Sequence, residues 1–132
     1  MGKIVFLNGR FIPEGQACVS VLAPGFLYGW GVFESMRAYN EKIVYFNTHL
    51  GRLEKSAKLL DIKKPYAAAK LKEVILGTVK INGFKDAYVR LTLWKSDKRA
   101  GILVTAKKYQ PYSWQKYRKG FCACISSFRQ NQ

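Results

Sequence analysis

Residues 28–60 read YGWGVFESMRAYNEKIVYFNTHLGRLEKSAKLL, and a change of rhythm inside this stretch decides the fold. From Val32 to Tyr39 the residues alternate, with Phe33, Ser35, Arg37 and Tyr39 on one face and Val32, Glu34, Met36 and Ala38 on the other. That is the period of a strand. Asn40-Glu41-Lys42 makes a turn, and Ile43 to Phe46 returns as a short second strand. The period then becomes helical: after Asn47 or Thr48 as cap, Leu50, Leu53, Ala57 and Leu60 share one stripe, with His49, Arg52, Glu54, Lys55 and Lys58 elsewhere on the circumference. This helix ends near Asp61, before Pro65.

Upstream, Ile4 to Leu7 and Arg10 to Ile12 flank Asn8-Gly9, a dipeptide that tolerates the positive φ angles of a tight hairpin turn. Residues 22–31, LAPGFLYGWG, combine three glycines and a proline with large apolar residues, so the chain there turns sharply while presenting or packing aromatics. Downstream, a second helix spans about Tyr66 to Ile81, with Leu71, Val74, Ile75 and Thr78 on one stripe and Asn82-Gly83 at its end. Ala87 to Trp94 alternates again and carries Arg90 in mid-strand. Further strands are expected over Gly101–Ala106 and Gly120–Phe128, joined by the basic, aromatic stretch Gln110–Lys119.

Strands, two helices, then strands define an α+β domain with a mostly antiparallel sheet and the two helices packed on it. The domain is expected over residues 1–109, with 110–119 an interdomain connection and 120–132 the start of a C-terminal domain that the sequence cuts short. The polar tail, 126–132, follows a strand with no terminating element.

Composition narrows the function classes. The 132 residues are 48% apolar and 14% aromatic, enough for one hydrophobic core. No apolar run is long enough to cross a membrane, and none has the layout of a secretion signal, so the cytoplasm is the expected location. The three cysteines, Cys18, Cys122 and Cys124, are expected to be reduced, buried thiols, and with His49 as the one histidine they make no metal site. The formal charge of +15 invites a nucleic-acid reading, in which Lys107, Lys108, Tyr109, Tyr112, Trp114, Lys116, Tyr117 and Arg118 form a basic, stacking surface. The same stretch is where a linker between domains would lie, and charge alone specifies no site.

Glycine spacing excludes both a Walker-type phosphate loop and a dinucleotide fingerprint. No serine sits in a nucleophile elbow, and Glu34 is the only acid in a strand pattern, so a carboxylate dyad is not expected. What remains is Arg37, Arg52 and Arg90, each on a regular element. A guanidinium stays charged at any physiological pH and grips a phosphate or carboxylate through two parallel hydrogen bonds. The alternative makes Arg52 a solvated helix residue and Arg37 and Arg90 structural salt-bridge partners.

The stretch 28–60 resembles the N-terminal signature of class IV, or fold-type IV, aminotransferases: Y-G-x-x-V-F-E-x-x-R-x-Y, a strand pair, then H-x-x-R-L-x-x-S-A. Ala87-Tyr88-Val89-Arg90 fits the same pattern. The family comprises branched-chain aminotransferases, D-amino acid aminotransferases and aminodeoxychorismate lyases, which use pyridoxal 5′-phosphate (PLP) in a cleft between two domains and are homodimers.

The resemblance implies that Arg52 binds the PLP phosphate. It further implies that Tyr28, Phe33 and Arg37 line the substrate pocket, and that Arg90, with Tyr88 nearby, recognises a second carboxylate on an acidic substrate. The implied reaction is amino-group transfer between a branched-chain-like amino acid and 2-oxoglutarate, with the lyase as alternative. Ser35, where the branched-chain pattern has glycine, and Trp30 in the glycine-rich loop keep the lyase and D-amino acid branches open. The Schiff-base lysine of the family is expected beyond Gln132, so no residue of this chain is assigned a catalytic role, and the chain alone is expected to be inactive.

Overall fold

The computed structural model describes residues 3–128. A six-stranded antiparallel sheet in the order β2-β1-β6-β5-β3-β4 is built from β1 (Ile4–Leu7), β2 (Arg10–Pro13), β3 (Gly31–Tyr39), β4 (Lys42–Ile43), β5 (Asp86–Trp94) and β6 (Gly101–Lys108). Helices α1 (Pro24–Leu27), α2 (Phe46–Leu59), α3 (Ala68–Ile81) and α4 (Trp114–Lys119) accompany them.

Periodicity sets the layers. The even-numbered residues of β3 and the odd-numbered residues of β5 are apolar, Glu34 excepted, and register pairs Val32 with Leu93, Met36 with Val89 and Ala38 with Ala87. This face receives Leu50, Leu53 and Ala57 of α2 and Leu71, Val74, Ile75, Thr78 and Val79 of α3, all buried. Full burial of each large aliphatic side chain contributes roughly 1.5–3 kcal/mol. The α+β architecture with two helices on the sheet is therefore as expected.

Local chemistry closes the chain reversals. Asn8 (φ 47°) and Gly9 (φ 99°) make the β1–β2 turn, and the Asn8 side chain accepts from the Ile102 amide at 2.9 Å, tying that turn to β6. Asn82 joins α3 to β1: it accepts from the Ile4 amide at 2.9 Å and donates to the carbonyls of Ile4 and Thr78, both at 2.7 Å. The glycine-rich loop docks through close contact. Pro24 opens α1, the Gly25 amide donates to the Lys95 carbonyl at 2.9 Å, and the Trp94 side chain lies against Gly25 and Gly101, where a Cβ would come within 2.6 and 1.9 Å of it.

Several expectations need correction. Residues 120–128 form no strand. Phe121, Ile125 and Phe128 are exposed, and the two outer positions of the sheet are held by β2 and β4, so among the described residues this run has β-like composition without a partner. Cys18, Cys122 and Cys124 are free but exposed rather than buried, because none lies on an element that packs into the core. The connection 110–119 contains α4, capped by Ser113, which accepts from the Lys116 amide. Helix α2 starts at Phe46 after Tyr45 in the left-handed region, with no side-chain cap from Asn47 or Thr48, and β4 is only two residues long. Residues 129–132 of the tail lie outside the described residues.

Candidate functional site

Because β3 and β5 alternate in register, their outward residues form one open face. Ser35 faces Arg90, Arg37 faces Tyr88, and Phe33 faces Thr92 across the strand pair. Residues directly opposite on such a pair have Cβ atoms about 4.5–5.5 Å apart, so their side chains interact. The Arg90 guanidinium lies over the Phe33 ring, 3.5 Å from its centroid, and forms no ion pair among the described residues. The Tyr88 hydroxyl donates to Ser35 Oγ at 2.6 Å.

Arg37 is differently placed. Its Nε and Nη2 donate to Asp86 at 2.9 and 2.6 Å, and its guanidinium lies 4.1 Å from the Tyr109 ring centroid and 5.4 Å from that of Tyr39. Its hydrogen bond to Asp86 pushes the guanidinium further above its ordinary pKa and holds the Asp86 carboxyl below its own. Tyr28, at the end of α1, packs against Trp30 where the chain enters β3, with ring centroids 5.7 Å apart and planes tilted by 47°. Phe33, Arg37, Tyr88 and Arg90 thus share one surface, with Tyr28 at its entry.

Arg52 is on the other side of β3, among residues of α2. Its Nε donates to Glu34 Oε1 at 3.0 Å and its Nη2 to Glu34 Oε2 at 2.6 Å. His49 Nδ1, one helical turn earlier, lies 2.7 Å from the same Oε2, and an ionised carboxylate there requires Nδ1 to carry the proton. Burial pushes the Glu34 carboxyl up, but the hydrogen bonds and charge of Arg52 and His49 outweigh it and hold Glu34 below the ordinary carboxylate range. The Glu34 side chain is 11% exposed and that of Arg52 63%, so the pair is anchored inside and open outside. The Nη1 edge of Arg52 forms no hydrogen bond among the described residues.

The free edge of β3 links the two sides. Strand β4 pairs with Ala38 and Tyr39 and the Val44 amide donates to the Arg37 carbonyl, so among the described residues β3 carries a neighbouring strand on one side alone from Gly31 to Met36. Arg52 and the face of Phe33 and Arg90 therefore flank a strand edge that no other strand pairs with among the described residues. Cavities of about 710 and 740 Å³ lie elsewhere, one against Leu76, Gly77 and Phe84, the other against Tyr66, Lys98 and Arg99. The site is thus an open surface of the chain.

Sequence reasoning missed Glu34 and His49 as members of this site. Only half of the signal is local: an acid on a strand face between Val32 and Met36 calls for a cationic partner, and His49 and Arg52 stand one turn apart on the next helix, but that this helix covers that face is set by the fold.

The class IV amino-transferase family profile matches residues 31–132, which takes in β3, α2, β5 and every residue of this site except Tyr28. The chain belongs to the class IV amino-transferase family. Within the family it is 43% identical to a putative branched-chain-amino-acid aminotransferase of Methanocaldococcus jannaschii over 67% of this chain and 31% of that protein. It is 34% identical to the aminodeoxychorismate lyase of Bacillus subtilis, over 68% and 31% of the two chains. A T.th. branched-chain amino acid aminotransferase solved with pyridoxamine 5′-phosphate superposes with a TM-score of 0.76 at 31% identity, covering 85% of this chain and 41% of that one. The chain thus spans about a third of the length of these curated class IV relatives.

Proposed function

We propose that this chain is the N-terminal part of a PLP-dependent class IV aminotransferase that moves an amino group between a branched-chain-like amino acid and 2-oxoglutarate. The observation that carries the proposal is the presence of two arginines on the two sides of β3, Arg90 stacked on Phe33 with no ion pair among the described residues and Arg52 facing outward at the strand edge.

The residues present suit the cofactor's phosphate. Arg52 offers an unused guanidinium edge at the surface, and the one carboxylate in contact with it occupies the opposite edge. In this proposal Arg52 holds the phosphate through charge-assisted hydrogen bonds. When bound, PLP supplies the electron-withdrawing ring that makes the substrate's α-proton removable. The chain's own residues bind and orient. Phe33 and Tyr28 give apolar surface to a branched side chain, Arg37, neutralised by Asp86, forms part of the wall, and Arg90 and Tyr88 take the distal carboxylate of 2-oxoglutarate. The proton-moving Schiff-base lysine and the second wall belong to a domain beyond Gln132, with residues 110–119 as connection.

A homodimer in the cytoplasm completes the proposal. Support for an assembly comes from Leu22, Phe26, Leu27 and Tyr28, four large apolar side chains of one loop that are exposed and suited to cover by another domain or copy. The greater similarity to branched-chain enzymes favours that reaction over the lyase.

The test is Arg90→Leu in the longer enzyme. The proposal expects KM for 2-oxoglutarate to rise about 10-fold or more while KM for leucine changes little, the loss of one charge-assisted interaction of about 1.5–3 kcal/mol. Equal rises for both substrates would remove Arg90 from carboxylate recognition.

A further inference from the structure

We infer that Glu34 and His49 are positioning residues that aim Arg52 at a phosphate. The inference rests on the reading of Arg52 as the phosphate anchor and adds how the anchor is held.

An arginine that is 63% exposed would ordinarily sample many rotamers, and holding it still for a ligand costs side-chain entropy. Here that ordering is already done. Glu34 engages Nε and Nη2 together, which fixes the plane of the guanidinium as well as its position. Both contacts lie on one edge, so Nη1 and its two donors face away from the carboxylate.

Glu34 is itself fixed. It is part of β3, whose register with β5 places it opposite Leu91 on the helix-facing side, and His49 Nδ1 donates to Oε2 from the preceding turn of α2. A single Arg52–Glu34 contact could pivot. Three donors on two carboxylate oxygens, from two side chains of one helix, cannot do so without breaking a hydrogen bond.

Charge and orientation make opposite predictions, which allows a decisive test. Glu34 is negative and lies beside Arg52, so by Coulomb's law alone its removal strengthens the attraction of Arg52 for an anion. If Glu34 aims the guanidinium, its removal weakens anion binding despite that gain.

The experiment uses this 132-residue chain with pyridoxine 5′-phosphate and pyridoxine, which lack the aldehyde that would react with surface lysines. The ratio of the two affinities isolates the phosphate contribution. Binding is followed by the Arg52 Nε–H resonance in NMR, and folding of each variant by thermal denaturation. Glu34→Gln is expected to lower the phosphate-dependent affinity about 2- to 10-fold, the range expected when an immobilised side chain is released, and to collapse the distinct Arg52 Nε–H signal. His49→Gln, which leaves the Arg52–Glu34 pair intact, is expected to lower the affinity about 2-fold and serves as the deciding variant if Glu34→Gln does not fold.

Unchanged or increased phosphate-dependent affinity in a folded Glu34→Gln chain, with loss still seen in Arg52→Ala, overturns the positioning role and leaves the anchor standing. Unchanged affinity in Arg52→Ala, or no preference of the unsubstituted chain for the phosphate ester, overturns the anchor as well.

Discussion

Replacing Gly25 by alanine adds one methyl group and tests how the loop carrying Tyr28 is attached to the sheet. Gly25 does not have a positive φ, so alanine brings no backbone strain and the effect is steric. The new Cβ would stand 2.6 Å from Trp94 Cβ, 2.8 Å from Cδ1 and 2.9 Å from Cγ, against an ordinary carbon–carbon separation of about 3.5–4.0 Å. Trp94 Cβ is fixed to β5 and cannot rotate away, so α1 must retreat by about 1 Å. That lengthens the bond from the Gly25 amide to the Lys95 carbonyl, now 2.9 Å. Overpacking of this kind costs about 1–3 kcal/mol. Since α1 has no buried residue, the cheaper route is for the loop to lift off, so the global cost should lie near the low end, about 1–1.5 kcal/mol. For a chain of this size that lowers Tm by roughly 4–7 °C. Hydrogen exchange of the Gly25 and Leu27 amides and the Tyr28–Trp30 fluorescence should change more than Tm does. Unaltered Tm together with unaltered exchange at Gly25 would refute the packing argument.

Acid titration gives a second prediction. Glu34 and Asp86 both have carboxyls lowered in the folded protein, so their stabilisation is complete above the ordinary values of 4.5 and 3.8 and is lost as pH falls through the lowered ones. Tm should stay level from neutral pH down to about pH 5 and then fall, with Glu34→Gln removing part of the fall; a decline beginning near pH 6 would contradict the assignment. Asn82→Ala should cost about 2–3 kcal/mol in urea denaturation, because it strips the Ile4 amide of its acceptor and two carbonyls of a donor; a loss below about 0.5 kcal/mol would mean that water replaces all three bonds.

The parts of the fold legible in the sequence were those with local period. Alternation in Val32–Tyr39 and Ala87–Trp94 marked strands whose outward faces carry Phe33, Arg37, Tyr88 and Arg90, and the helical stripes of α2 and α3 are the ones that bury. What depended on distant partners was not legible. The run Gly120–Phe128 has strand composition, but pairing decides strands, and among the described residues it has no neighbour to pair with. Helix α1 is four residues long, too short for a period, and is held by contact with Trp94, far away in the sequence. The site divided in the same way. Arg52 stood out as an arginine on a helix, whereas its orientation by Glu34 required knowing that α2 lies over that side of β3. His49 looked like a helix-surface residue for the same reason.

On the proposed function, this chain supplies a phosphate anchor and one wall of a cleft, while the group that captures PLP covalently lies beyond Gln132. Borohydride reduction after incubation with PLP, followed by peptide mapping, tests that division directly on this chain and on the longer enzyme. The expected result is stoichiometric trapping on one lysine beyond Gln132 in the longer enzyme, weakened by Arg52→Ala, and no single preferred lysine in residues 1–132. Trapping on one specific lysine within residues 1–132 would contradict it.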